Sequence, residues 1–321
     1  MPISYTPGPL NSLCDVPGIR VGHAQNLQAR TGCTVVIPEN GAVAGVDVRG
    51  SAPGTREIEP LYPVRLVPKV HAVLLTGGSA FGLDAAGGVQ QYLEEKGIGF
   101  DTGVAKVPIV PAAVIFDLAC GDSRVRPDRA MGYQAAQTAH DKDASVGLTG
   151  AGTGATVGKV MGPQNAMPGG LGQASEVVDG RLVVAALTVV NAFGDVIDPD
   201  SGEILAGARN EAGEFVNTSQ FLREYGLRFS DPWSGNTTLC VVATNAELNK
   251  EEATKLAQMA HDGLARAIRP VHTIVDGDIV FALSCGKEKA NSLLLGTIAA
   301  EVVSRSIVRA VQASGAAAAN A

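Results

Sequence analysis

The segment EVVDGRLVVAALTVVNAFGDVID, Glu176 to Asp198, constrains the fold more than any other. Two apolar runs meet at Asp179-Gly180, and Asp-Gly between such runs signals the left-handed turn of an antiparallel hairpin. The flanking chain supplies both strands and helices. Up to about residue 120, strand-like runs alternate with glycine-rich turns: Ile19 to Gly22, Cys33 to Ile37, Ala42 to Val48, and Ala72 to Leu75. A helix is expected from near Ser79 to Gly97, where glycine is a favoured C-cap. The strand VPAAVIFDL precedes a second helical stretch, Arg126 to His140. This alternation predicts a mixed α/β fold.

The C-terminal third repeats the pattern. TTLCVVATN reads as a strand, followed by a helix with Leu256, Met259, Ala260, Leu264 and Ile268 at helical spacing. HTIVDGDIVFALS reads as two short strands around Asp276-Gly277, and a long helix is expected from Ala290 to Gln312 with a frayed end, SGAAAANA. From Ser201 to about Ser234 the pattern weakens and becomes polar, which predicts an exposed, mobile connection.

Composition narrows the function classes. The 321 residues are 45% hydrophobic, 18% charged and 4% aromatic, a soluble globular profile built on aliphatic and small side chains. A net charge of -7 and no basic run argue against nucleic acid or an anionic membrane as partner. MPISYTPGPLNSL lacks the charged-then-apolar pattern of a signal peptide, and no apolar run is long enough to span a bilayer. Five scattered cysteines form no zinc pattern, so reduced thiols in the cytoplasm are expected, with Cys240 and Cys285 as buried structural thiols.

Several motifs fall short of familiar patterns. GTGATVGK, Gly152 to Lys159, has the wrong spacing for a phosphate loop and Val160 in place of the magnesium-binding hydroxyl, but its Lys159 ends an apolar run and needs a partner. GGSAFG has Phe81 where a nucleophile elbow needs glycine. Its glycines let a helix start close to a sheet, and Gly78 and Ser79 are candidates for a substrate wall. Asp198 to Gly202 lacks the downstream Glu of a calcium loop, and the five histidines form no metal-binding pair, so neither metal nor cofactor is expected. Asn236-Thr237-Thr238 and Asn217-Thr218-Ser219 fit glycosylation sequons but accompany no secretion signal. Asp276 and Asp278, one residue apart, need hydrogen bonds or a cation, for which Lys159 is suitable.

With IRVGHAQ, GCTVVIP, DVRG, LTGGSAFGLDAAGGV, AAVIFD, GATVGK, VVNAFGDVID, GNTTLCVVATN and HTIVDGDIVFA in order, nearly the whole chain resembles the self-cleaving L-aminopeptidase/D-alanine-esterase family. Its relatives include β-peptidyl aminopeptidases and nylon-oligomer (6-aminohexanoate-oligomer) endohydrolases. The resemblance implies an N-terminal-nucleophile-like α/β/β/α sandwich made by two subunits of one precursor. Carried over, the cut falls between Asn236 and Thr237. Residues 1–236 form the large subunit and 237–321 the small one, together one structural domain.

The implied chemistry suits threonine. Its hydroxyl needs a base, and the freed α-amine of Thr237, with a reference pKa of about 7.7 to 8.0, can serve where an amide nitrogen cannot. By resemblance Lys159 holds the nucleophile region and keeps the amine's pKa low, and Asn191 forms the oxyanion hole. Asp276 and Asp278 match the acidic pair of the nylon-oligomer members, orienting the Thr hydroxyl and amine. Phe116 stands at a substrate-facing position where relatives often carry Tyr, so a hydroxyl contact is lost. The expected function is amide hydrolysis in small peptides or linear amide oligomers, with nylon oligomers among the candidates. The alternatives are an aminopeptidase or β-peptidyl aminopeptidase, an acyltransferase of the ornithine acetyltransferase type, or an unprocessed binding protein. A homo-oligomer of processed heterodimers is implied, with a tetramer as one arrangement.

Overall fold

The computed structural model describes residues 3–226 and 235–319. At the centre lies the expected hairpin. Gly170–Val178 and Leu182–Asn191 pair antiparallel, from Gly170 opposite Val190 to Val178 opposite Leu182. Asp179 and Gly180 adopt φ of 48° and 67°, the left-handed geometry of a hairpin turn. Side chains alternate between two buried faces, which is why Leu182–Asn191 is apolar except at Thr188 and Asn191, while Gly170–Val178 buries Gln173, Ser175 and Glu176 among its apolar residues.

The hairpin belongs to a six-stranded sheet ordered Tyr5–Thr6, Gly170–Val178, Leu182–Asn191, Thr237–Ala246, Ile279–Glu288, Val43–Val48. Thr237–Ala246 and Ile279–Glu288 run parallel, so the chain between them must cross over, which it does through helix α4, Lys250–Ala267. Asn249 and Glu252 form a capping box that fixes where α4 begins. A second, five-stranded sheet is ordered Ile19–Asn26, Thr31–Pro38, Val73–Thr76, Ala112–Val114, Thr55–Arg56. Helix α1, Ala85–Glu95, lies in the connection between its parallel pair.

Alternation along the central strands builds the layers. Val184, Ala186, Val190 and Val242 pack under α4 and the C-terminal helix α5, Ser292–Ala319, through Leu256, Leu264, Val302 and Ile307. Their neighbours Ala185, Leu187, Val189 and Val241 face the opposite way, onto Ile19, Val21, Val36 and Leu75 of the second sheet. That sheet's outer face buries Val35, Ile37 and Leu74 against α1 and α2, the latter Arg129–Thr138. Helices α1 and α2 touch backbone to backbone, since a Cβ at Gly88 would stand 1.8 Å from the Arg129 carbonyl oxygen. The result is the α/β/β/α sandwich.

Four expectations need correction. The segment after Ser201 is not a bare connection: Ile204–Ala206 is a strand and Thr218–Tyr225 is helix α3, with Phe221 and Leu222 packed near Phe193 and Val275. Residues 227–234, including Ser234, lie outside the described part. No hairpin forms at Asp276-Gly277. Only Ile279–Glu288 is a strand, and the preceding loop is held by its own carboxylates. The helix near Ser79 starts with tighter geometry, Ser79–Asp84, before α1. The C-terminal helix persists to Ala319, consistent with alanine's high helix propensity. Residues 320–321 lie outside the described part.

Candidate active site

Three strand ends assemble the site. Thr237, the first residue of its strand, pairs in register with Asn191, the last of the neighbouring antiparallel strand. On the other side the parallel strand begins at Ile279, immediately after Asp278. Asn191, Thr237 and Asp278 are thereby gathered from positions far apart in the chain.

The Asn236–Thr237 peptide bond is buried and held from several directions. Asn236 N donates to Val275 O at 3.3 Å, and Gly277 N donates to Asn236 O at 2.9 Å. The Thr237 hydroxyl donates to that same Asn236 carbonyl oxygen. Asn236 and Thr237 are only 1% and 4% exposed. Upstream, Gly235 turns at φ 47° directly against the Phe116 ring, where a Cβ would lie 2.3 Å from Phe116 Cγ. Only glycine tolerates both that φ and that contact.

The two carboxylates are bound to backbone amides. Asp278 accepts from Thr238 N at 2.7 Å, and from His272 N at 3.1 Å and His272 Nδ1 at 2.8 Å. Asp276 accepts from Phe193 N and Thr273 N, each at 3.2 Å, and from the Thr273 hydroxyl. Burial, and then the adjacent Asp278 carboxylate, push the Asp276 carboxyl up to about 6. The structure thus places the pair against the backbone around Thr237, and Thr237 Oγ1 lies on the carbonyl oxygen.

Lys159 is fully enclosed, its Nζ donating to Asn191 Oδ1 at 2.8 Å and to Asn191 O at 3.3 Å. Burial pulls its ammonium down to about 8, while Cys120, Asp276 and Asp117 act in the opposite direction. Asn191 Oδ1 also accepts from Thr156 N at 3.0 Å, and its Nδ2 donates to Phe116 O at 3.3 Å. In this arrangement the Asn191 amide points to Phe116 while the Asn236 carbonyl is met by Gly277.

A cavity of about 270 Å³ opens beside Thr237, with Ala52, Pro53, Ser79, Val114, Phe116 and Val275 in its wall. Ser79 and Phe116 therefore stand where a substrate wall was expected. Gly78 is not part of that wall: its amide instead donates to Asp117 Oδ1 at 2.7 Å, while Asp117 Oδ2 accepts from the Thr31 hydroxyl at 2.7 Å. Burial raises the Asp117 carboxyl above the ordinary range. No group of three His, Cys, Asp or Glu among the described residues is arranged to hold a metal ion.

The model of peptidase family S58 matches residues 11–321, almost the whole chain. The chain belongs to peptidase family S58. An S58 peptidase acts on amide bonds, and this protein is an amide-bond hydrolase. It is 44% identical over 294 residues to an uncharacterized aminopeptidase of Mycobacterium tuberculosis, covering 86% of this chain and 82% of that protein. It is also 30% identical over 316 residues to the 6-aminohexanoate-oligomer endohydrolase of a Kocuria strain, covering 93% of this chain and 85% of that one. Among solved structures, a Burkholderia β-aminopeptidase aligns with a TM-score of 0.67 at 25% identity, over 96% of this chain and 88% of that one. The L-aminopeptidase D-Ala-esterase/amidase of Ochrobactrum anthropi, described as a variant of the Ntn hydrolase fold, aligns with a TM-score of 0.72. At 20% identity, over 98% of this chain and 89% of that one, the likeness shows a shared fold.

Three residues of this region escaped sequence reasoning. Gly277 looked like the centre of a hairpin turn, His272 like a lone histidine, and Asp117 like the end of a strand. All three lie in segments that carry the resemblance, Asp117 in AAVIFD and His272 and Gly277 in HTIVDGDIVFA, where the conspicuous residues are Phe116, Asp276 and Asp278.

Proposed function

We propose that this protein is an autoprocessed amidohydrolase that cuts itself between Asn236 and Thr237 and then uses Thr237 as an N-terminal nucleophile. The observation that carries this reading is the contact of the Thr237 hydroxyl with the Asn236 carbonyl, in a buried bond at the wall of a cavity. Attack there would free the Thr237 amine, which becomes the base for the next acyl transfer. Lys159 sits behind Asn191 as a fixed positive charge, and the Asn191 amide lies in register with Thr237 as the oxyanion donor for turnover. Asp276 and Asp278 fix the loop and strand that frame the hydroxyl and the new amine.

Cleavage would leave residues 1–236 and 237–321 interlocked. Thr237–Ala246 lies between strands from both pieces, Leu182–Asn191 on one side and Ile279–Glu288 on the other. The substrates that fit are small peptides or linear amides, in line with the aminopeptidase and oligomer-hydrolase names of its relatives. A homo-oligomer of processed heterodimers and a reducing, cytoplasmic setting complete the reading. Five free cysteines suit such a compartment.

Denaturing electrophoresis with N-terminal sequencing tests the proposal. Two chains are expected, the smaller beginning TTLCVV, together with hydrolysis of aminoacyl anilides or 6-aminohexanoate oligomers. A single intact chain that hydrolyses these amides sinks the free-amine mechanism.

A further inference from the structure

We propose that Gly277 is a catalytic residue of the self-cleavage, its backbone N–H serving as the oxyanion donor for the Asn236 carbonyl. This deepens the proposed function and rests on it. The step is an acyl shift. Thr237 Oγ bonds to the Asn236 carbonyl carbon, and the carbonyl π pair moves onto oxygen. On collapse the carbon–nitrogen bond to Thr237 breaks, the departing nitrogen takes the hydroxyl proton, and an ester joins Asn236 to Thr237 Oγ. Water then hydrolyses the ester, releasing the Asn236 carboxyl group and restoring the hydroxyl.

The oxygen that gains charge is Asn236 O, and in the uncut chain it already accepts from Gly277 N at 2.9 Å, so a donor is in place before charge develops. The donor is pre-organised. Ala52 N donates to Asp276 O at 2.9 Å, bracing the peptide unit that carries the Gly277 N–H, and Arg49 N donates to Asp278 O at 3.0 Å, holding the chain two units further on. The carboxylates brace it again: Asp276 is tied to Phe193 N and Asp278 to Thr238 N. A fixed dipole of this kind needs no reorganisation when charge develops.

Space explains why the residue is glycine. A Cβ at 277 would lie 2.7 Å from Thr237 Oγ1 and 2.6 Å from Ala52 O, both too close for a real side chain. The side-chain-free backbone admits the nucleophile and the carbonyl together. Asn191, whose amide points to Phe116 O in the uncut chain, is left for turnover. Self-cleavage and turnover thus draw on different donors.

The rate at which the full-length chain disappears after folding, followed by intact mass, tests this. Gly277→Pro removes the N–H, and Gly277→Ala keeps it but crowds Thr237. We expect Gly277→Pro to cut at least about 100-fold more slowly than wild type, the scale for losing one oxyanion donor, and Gly277→Ala to be slowed as well. A folded Gly277→Pro that cuts at the wild-type rate overturns the proposal. If proline prevents folding, amide hydrogen exchange in the uncut Thr237→Ala chain decides. A protected Gly277 N–H supports the bond to Asn236 O, and exchange as fast as an open loop amide overturns it. A wild-type chain that stays whole removes the processing reading itself, whereas a wild type that cuts beside an equally fast Gly277→Pro removes this inference alone.

Discussion

Asp278 reaches past the nucleophile to accept the Thr238 amide at 2.7 Å, so the residue after Thr237 is pinned to a buried carboxylate. The two adjacent threonines consequently have different environments. The Thr237 hydroxyl lies on the carbonyl it would attack, whereas Thr238 is held by its backbone. Thr237→Ala should leave the chain uncut and inactive. Thr238→Ala keeps the amide that Asp278 holds and should still be processed. Intact mass reads both outcomes, and an uncut Thr238→Ala chain would move the nucleophile assignment.

His272 should behave as a positioning residue for Asp278. Its Nδ1 lies 2.8 Å from Asp278 Oδ2, and its ring meets His261 edge to face with centroids 4.8 Å apart. His272→Ala should lower kcat by roughly ten- to 150-fold with little change in KM, because a charge-assisted hydrogen bond of this kind contributes roughly 1.5–3 kcal/mol. His272→Asn, which retains a donor near Nδ1, should recover most of the loss. Equal rates for the two variants would assign His272 to packing alone.

Lys159 is a charge the fold keeps at a cost. Removing a buried ammonium relieves its desolvation but leaves Asn191 Oδ1 with Thr156 N as its remaining partner. Lys159→Met should therefore abolish processing or turnover while the melting temperature stays within a few degrees of wild type. A variant that is folded and fully active contradicts the role proposed for this lysine.

Asp195 should set a pH dependence of stability. It accepts from Thr218 N at 2.7 Å, the Thr218 hydroxyl at 2.8 Å and Ala208 N at 3.3 Å, and burial pushes its carboxyl up to about 6. A raised carboxyl binds its proton more tightly in the folded chain. Its stabilising contribution is full below the ordinary value of 3.8 and is lost as pH rises through about 6. The stability of wild type relative to Asp195→Asn should thus fall by about 1 kcal/mol between pH 5 and pH 7, the scale of one pKa unit. Denaturant titrations at the two pH values measure it, and a difference that grows with pH would contradict the burial argument.

Much of this architecture was legible because local physics dictates it. Asp179-Gly180 specifies its turn through φ, and the spacing of Leu256, Ala260 and Leu264 specifies the buried face of α4. The loop carrying Asp276 and Asp278 was misread for an equally physical reason. Asp-Gly favours a hairpin locally, but both carboxylates found stronger partners in the amides of Phe193, Thr273, Thr238 and His272. The segment after Ser201 was misread because α3 is tied down through Asp195, a residue distant in sequence.

By itself the sequence determined the alternation of strands and helices, the family, and the candidate residues Thr237, Lys159, Asn191, Asp276 and Asp278, since periodicity and motif are properties of neighbouring residues. Tertiary structure alone decided which atoms meet: Thr237 Oγ1 with the Asn236 carbonyl, Gly277 N–H with that same oxygen, His272 with Asp278, and Lys159 with Asn191. Those contacts depend on strand register and on backbone direction in a loop, and both are fixed by the packing of segments far apart along the chain.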